Sequence, residues 1–228
     1  MLNGITENNF ALPMIDLAQL SEGENHAAFY HNLRTISRDS GFFYLRGHDF
    51  SPADFAQIFA NSQAFFALTA QQKQQIAMVN SAQFRGYSQV AAEYTQQKPD
   101  HREQIDIGAE LEALALQADN PAYYRLQGPN QWPAALPDFK QQVLAYVDKA
   151  RALSIELLRH FLIALEQPAD ALDELISEQT PAHLFKLIHY PASQAEQRQG
   201  VGAHKDSGIL TLLIQDQVGG LQVKTENG

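Results

Sequence analysis

An α+β fold is expected from three features of this 228-residue sequence. Apolar residues recur at helical spacing through most of the chain ahead of Thr180, the pattern turns to extended runs after it, and Gly and Pro punctuate a long stretch between. Helices buttressing a sheet or barrel are the packing that this order of elements implies.

Leu12-Pro-Met-Ile-Asp-Leu17 reads as a short strand after an unpatterned start. From Glu24 to Ser40, Ala27, Phe29, Tyr30, Leu33 and Ile36 repeat at helical spacing, and Gly41 is a natural stop. Phe42 to Leu45 is bulky and β-prone, which suits a buried strand. Ser51-Pro52 combines an N-cap with a first-turn proline and opens a helix to about Leu68, followed by a helical piece from Thr69 to Ala77. Periodicity fades between Met78 and Trp132, and a long irregular region there is expected to carry function. Leu136-Pro-Asp138 starts the longest helix, with a stripe through Phe139, Val143, Tyr146, Val147, Leu153, Leu157 and Phe161 that ends near Gln167-Pro168. A short helix around Ala171 to Ile176 comes next. Four candidate strands close the sequence: His183 to Tyr190, Gly200 to His204, Ile209 to Gln215 and Leu221 to Val223.

Charge narrows the function classes. Sixteen Lys and Arg against 26 Asp and Glu give a net charge of −10. Neither nucleic acid nor an anionic membrane is expected as a partner, since both reward clustered cations. With no cysteine, disulfides, thiolate metal sites and thiol nucleophiles are excluded. No signal-peptide pattern and no apolar run approaching about 20 residues is seen, so a cytoplasmic protein is expected.

The chemistry concentrates in Gly200-Val-Gly-Ala-His204-Lys-Asp206. Residues two apart on a strand share a face, so His204 and Asp206 can aim an imidazole and a carboxylate at one point. Two His and one carboxylate on one face of an octahedral ion make the non-haem iron(II) oxygenase site. A bare His-x-Asp pair is a weak signal that a surface strand with two polar residues also explains, and the neighbouring blocks decide. Those blocks are Leu12 to Leu17, Gly41-Phe-Phe-Tyr-Leu45, Phe84-Arg-Gly-Tyr87, Lys98-Pro-Asp100 with Glu103, Gly128-Pro-Asn-Gln-Trp-Pro133, His189-Tyr-Pro191 and Val218-Gly-Gly-Leu-Gln-Val223.

With these motifs the chain resembles the isopenicillin N synthase-like branch of the 2-oxoglutarate/Fe(II)-dependent dioxygenase superfamily. The resemblance implies a helical N-terminal region, residues 1–180, packed on a double-stranded β-helix (jelly-roll) core that begins at 181–228. It implies Fe(II) bound by His204 and Asp206, with 2-oxoglutarate and O2 as co-substrates. Tyr190 and Lys186 would lie at the 2-oxoglutarate site, and Glu93 and Thr95 at the mouth that receives a small-molecule substrate. Glu93 could meet a cationic group, as in members acting on arginine-like molecules. Oxidative decarboxylation of 2-oxoglutarate coupled to substrate oxidation is the reaction implied.

The sequence departs from the family in places. Ile188 stands where relatives carry asparagine, and Ser207 where ethylene-forming members carry tyrosine. No histidine follows Asp206, and the arginine that relatives place on the far carboxylate of 2-oxoglutarate is also absent. The expectation is therefore a core incomplete at its C-terminus and a truncated chain. A catalytically dead fragment, an oxidase using O2 without 2-oxoglutarate, an ethylene- or succinate-forming enzyme and a cupin-type metal protein stand as alternatives. Trp132 is expected to anchor the core rather than to offer a substrate platform.

Overall fold

The computed structural model describes residues 12–20, 26–176, 182–192 and 199–224, and its architecture is mixed helix and strand. The chain divides into two compact units, Met1–Asp49 with Ile155–Leu172 and Ile214–Gly228, and Phe50–Ser154 with Asp173–Leu213.

In the first unit, β1 (Met14–Asp16) pairs in parallel with β2 (Tyr44–Arg46), and Ile15 opposes Leu45. The turn that follows β2 requires glycine, because Gly47 has φ +74° and a Cβ there would run into Asp16 and the Ala18 amide. Helix α1 (His26–Asp39) buries Phe29 and Leu33. It ends as expected at Gly41, where φ is +70° and the amide donates back to the Ile36 carbonyl. The expected start of this helix at Glu24 cannot be compared, since residues 21–25 lie outside the described ones, as does the unpatterned start 1–11. The strand at Phe42 to Leu45 is shorter and less buried than expected: a two-stranded ribbon covers one face only, so Tyr44 stays 55% exposed and Phe42 48%.

The second unit is built on a three-stranded antiparallel sheet in the order β3 (Gly86–Ser88), β6 (Glu103–Gly108), β7 (Leu184–His189). Between them β4 (Tyr94–Thr95) and β5 (Lys98–Pro99) form a hairpin. Helix α2 (Pro52–Phe66) starts at a capping box in which Ser51 and Asp54 exchange hydrogen bonds, and α3 (Ala70–Gln74) starts at a second one between Thr69 and Gln72. The longest helix, α4 (Phe139–Ala164), runs where the apolar stripe requires. Ile58 and Phe65 of α2, Phe139, Val143 and Val147 of α4, and Tyr87, Ile105, Ile107 and Leu187 of the sheet form one buried cluster. Trp132 packs against it, as expected for an anchor.

Three expectations are corrected. The stretch from Met78 to Trp132 is not irregular throughout, since it carries β3 to β6, with β6 buried along its whole length. Ala171 to Ile176 forms turns instead of a helix. Among the described residues, Gly200 to His204, Ile209 to Gln215 and Leu221 to Val223 are not strands, for want of a neighbouring ladder to satisfy their amides and carbonyls.

The Gly128 to Pro133 block explains how the sheet is trimmed. The Asn130 side chain accepts from the Gly108 amide at 2.8 Å and donates to its carbonyl at 2.9 Å, closing the end of β6. Gln131 donates to the carbonyls of Ala77 and Arg85 at 2.9 and 2.7 Å.

Candidate functional site

Strand β6 gives the sheet two chemically different faces. Glu103, Ile105 and Ile107 alternate with Gln104, Asp106 and Gly108, so the first set joins the core and the second opens on the opposite side. In register, Asp106 faces Lys186 on β7 and Gly86 on β3, while Gln104 faces Ile188 and Ser88.

The core face holds a buried charge pair. Lys73 donates to Glu103 at 2.7 Å, Tyr87 donates to the same oxygen at 2.6 Å, and His189 Nδ1 lies 2.8 Å from the other. Burial alone would push the Glu103 carboxyl up, but these hydrogen bonds outweigh it and hold the group below its ordinary range. Burial and the adjacent Glu103 push the Tyr87 hydroxyl well above its ordinary value.

The opposite face carries a continuous polar network. Lys186 Nζ lies 2.6 Å from Asp106 Oδ1, and Gln104 donates to Asp106 Oδ2 at 2.6 Å and to Glu93 at 2.9 Å. Arg102 donates to the other Glu93 oxygen at 3.0 Å and lies 3.4 Å from Asp100. Asp100, fully buried, accepts from Thr95 at 2.8 Å and from Gln199 at 3.2 Å. Glu93, Thr95 and Lys186 thus belong to one network. Sequence reasoning missed Asp106, Gln104, Arg102 and Gln199, although the alternation Gln104-Ile-Asp106-Ile between Pro99 and Gly108 is a strand signal.

The network reaches the His204 loop. Gly202 packs against Thr95, and Gln96 donates to the Ala203 carbonyl at 3.0 Å. The Tyr190 ring lies over Gly200, where an added Cβ would sit 3.1 Å from two ring carbons. His204 and Asp206 meet without a strand to align them: His204 Nε2 is 3.2 Å from Asp206 Oδ1, and both side chains are about half exposed. A carbonyl only accepts, so the 2.8 Å contact between His204 Nδ1 and the Gly202 oxygen places a proton on Nδ1. In the neutral ring Nε2 then presents its lone pair beside the carboxylate. Cis ligands with bonds of about 2.1 Å lie about 3 Å apart, so one nitrogen and one oxygen at this separation fit a divalent metal. Among the described residues no group of three His, Cys, Asp or Glu gathers to complete such a site.

Comparisons with known proteins identify the family. Residues 12–135 match the family model described as non-haem dioxygenase in morphine synthesis N-terminal, and residues 181–228 match that of the 2OG-Fe(II) oxygenase superfamily. The chain is 34% identical over 224 residues to the 2-oxoglutarate-dependent dioxygenase frbJ of Dothideomycetidae sp. (strain 11243), covering 96% of this chain and 60% of that protein. It is 31% identical over 238 residues to the homoarginine-6-hydroxylase 2-ODD-233 of Oryza sativa subsp. japonica, covering 96% and 70%. Its structure is similar to the crystal structure of a full-length Neurospora crassa protein in complex with alpha-KG, with a TM-score of 0.64 and 25% identity over 82% of this chain and 56% of that one. The chain thus spans 60 to 70% of the length of these two curated relatives. It belongs to the isopenicillin N synthase-like branch of the 2-oxoglutarate/Fe(II)-dependent oxygenase superfamily.

Proposed function

We propose that this chain forms part of a non-haem Fe(II), 2-oxoglutarate-dependent oxygenase acting on a small molecule. The observation that carries the reading is the 3.2 Å approach of His204 Nε2 to Asp206 Oδ1, with the ring oriented by the Gly202 carbonyl. His204 and Asp206 would hold the metal, with a further donor from outside the described residues. Bound Fe(II) would supply O2 activation coupled to oxidative decarboxylation of 2-oxoglutarate.

The chain's own residues shape what surrounds that centre. Tyr190, half exposed over Gly200, can border the co-substrate. Lys186 can add a positive charge there, but its ammonium is already engaged by Asp106. At the mouth, Glu93 offers a carboxylate oriented by Arg102 and Gln104, and Thr95 lies beside the His204 loop. A substrate bearing a guanidinium or similar cation matches Glu93, sharing the carboxylate with Arg102. A relative named for homoarginine hydroxylation supports this substrate class.

A division at residue 181 is part of this reading, supported by the second family match beginning there, and the segment from there would enter a jelly-roll core. No helix among the described residues is long and apolar enough to cross a membrane. The net charge of −10 disfavours nucleic-acid and anionic-membrane partners, and a cytoplasmic setting is part of the proposal.

The test is anaerobic binding of Fe(II) and 2-oxoglutarate, read by the weak visible charge-transfer band of the chelate. A band lost in both His204→Ala and Asp206→Ala supports the reading, and a band that survives both substitutions refutes the assignment of the ligands. Calorimetry with homoarginine, repeated on Glu93→Gln, tests the substrate class: equal binding by the two proteins would remove Glu93 from the site.

A further inference from the structure

The β4–β5 hairpin turns through two residues in a conformation that L side chains rarely adopt. Gln96 has φ +51° and Gln97 φ +65°, the backbone of a two-residue type I′ turn for which Asn-Gly is the favoured pair. Two glutamines there are strained, and strain of this kind persists where the surrounding structure fixes it. What the turn achieves is visible at its tip. It aims Gln96 Nε2 at the Ala203 carbonyl, 3.0 Å away and 107 positions later in the sequence.

The same loop is gripped on its other side. The His101 amide donates to the Gln199 carbonyl at 3.0 Å, and the Gln199 side chain donates to Asp100, which also accepts from Thr95. Between these grips lies Gly202, so close to the Thr95 methyl that an added Cβ would stand 2.7 Å from it. Gly202 is the residue whose carbonyl accepts the hydrogen bond from His204 Nδ1. The hairpin therefore holds the backbone on both sides of the group that orients the imidazole.

We infer that Gln96 is a positioning residue: through Ala203 and Gly202 it fixes the direction of His204 Nε2, and the strained turn exists to place it there. The inference rests on the proposed role of His204 as a metal ligand, and it adds a contact that acts on the ligand from a distant hairpin. A partner that orients a metal-binding histidine commonly changes metal affinity about 10- to 100-fold. Gln96 acts one residue further out, so about a tenfold loss is expected, at the low end of that range.

The test uses Fe(II) under anaerobic conditions and three proteins: the parent, Gln97→Gly, and the double variant Gln96→Asn/Gln97→Gly. Gln97→Gly relaxes the turn and keeps the contact. The double variant installs Asn-Gly, which suits the turn but is too short to reach Ala203. The denaturation midpoint is expected to hold or rise in both variants. Only the double variant is expected to bind Fe(II) about tenfold more weakly and to exchange amide hydrogens faster at residues 202–206. Unchanged exchange in the double variant overturns the clamp. Faster exchange with unchanged Fe(II) affinity overturns the positioning role. A parent that binds no Fe(II) refutes the metal reading of His204 and Asp206 instead, and exchange at 202–206 then still decides whether Gln96 holds the loop.

Discussion

Replacing Lys73 by methionine isolates the energy of the buried charge pair and gives it a pH signature. Side-chain exposure is 11% for Lys73 and 7% for Glu103, so water screens the pair little. Without Lys73, Glu103 keeps Tyr87 and His189 but loses its counter-ion, and its carboxyl is expected to rise above the ordinary 4.5. Protonation limits the penalty. At pH 7, neutralising a carboxyl of ordinary value 4.5 costs about 3.4 kcal/mol, and at pH 5 about 0.7 kcal/mol. Lys73 also donates to the carbonyl of Phe66, the last residue of α2, and losing that bond adds about 1 kcal/mol at either pH. Lys73→Met should therefore destabilise by about 4.4 kcal/mol at pH 7 and about 1.7 kcal/mol at pH 5. The sign is opposite in the parent. There the depressed carboxyl contributes stability above pH 4.5, which is lost as pH falls through its folded value. Urea denaturation of parent and variant between pH 5 and 8 measures the difference. A penalty equal at pH 5 and pH 7 would refute the view that Glu103 is the group stranded by the substitution.

Three further outcomes follow from single contacts. Asn130→Ala leaves the buried amide and carbonyl of Gly108 without their side-chain partner, and should cost about 2–3 kcal/mol in chemical denaturation. Gly86→Ala places a Cβ against the Ile76 carbonyl at a residue with φ +114°, so a loss of about 2 kcal/mol or more is expected, and an unchanged midpoint would contradict the close approach. Lys149, aided by the Ser51 backbone and side chain, holds the Asp54 carboxyl down to about 2, so Lys149→Met should move it back towards 3.8 in an NMR titration. In the parent this contribution to stability is present above pH 3.8 and fades as pH falls towards 2.

The helices were legible because their signals are local. Ser51-Pro52, Gly41 and the Phe139 to Phe161 stripe each act within a turn or two of chain. Strand β6 escaped although it alternates, because its second face is polar where an apolar one would be expected, and what makes the burial of Glu103 tolerable lies 30 to 86 positions away in Lys73 and His189. The segments after Gly200 misled for the opposite reason. Ile209, Leu213 and Leu221 have the composition of strands, but a strand also needs a neighbour, and here those side chains are exposed. At the site, His204 and Asp206 were expected to share a strand face, and they lie 3.2 Å apart without one. The hairpin behind them was not legible, since nothing local links Gln96 to Ala203.

For Lys186, position on the sheet and role at a co-substrate site are separate questions. Its ammonium lies on the polar face, but it is 2.6 Å from Asp106, a carboxylate only 4% exposed. Removing Lys186 therefore strands a buried charge, and Lys186→Met alone would lower stability and co-substrate binding together without separating them. Asp106→Asn separates them. It releases the lysine while Gln104 can still hydrogen-bond residue 106. If Lys186 serves 2-oxoglutarate, the freed ammonium should bind it more tightly, by about threefold to tenfold for a gain of up to about 1.4 kcal/mol. That gain should vanish in Asp106→Asn/Lys186→Met. If Lys186 only neutralises Asp106, Asp106→Asn leaves 2-oxoglutarate affinity unchanged and the double variant is as stable as the single one. Isothermal titration with 2-oxoglutarate beside urea denaturation distinguishes the two, and unchanged affinity across the set would remove Lys186 from the co-substrate site.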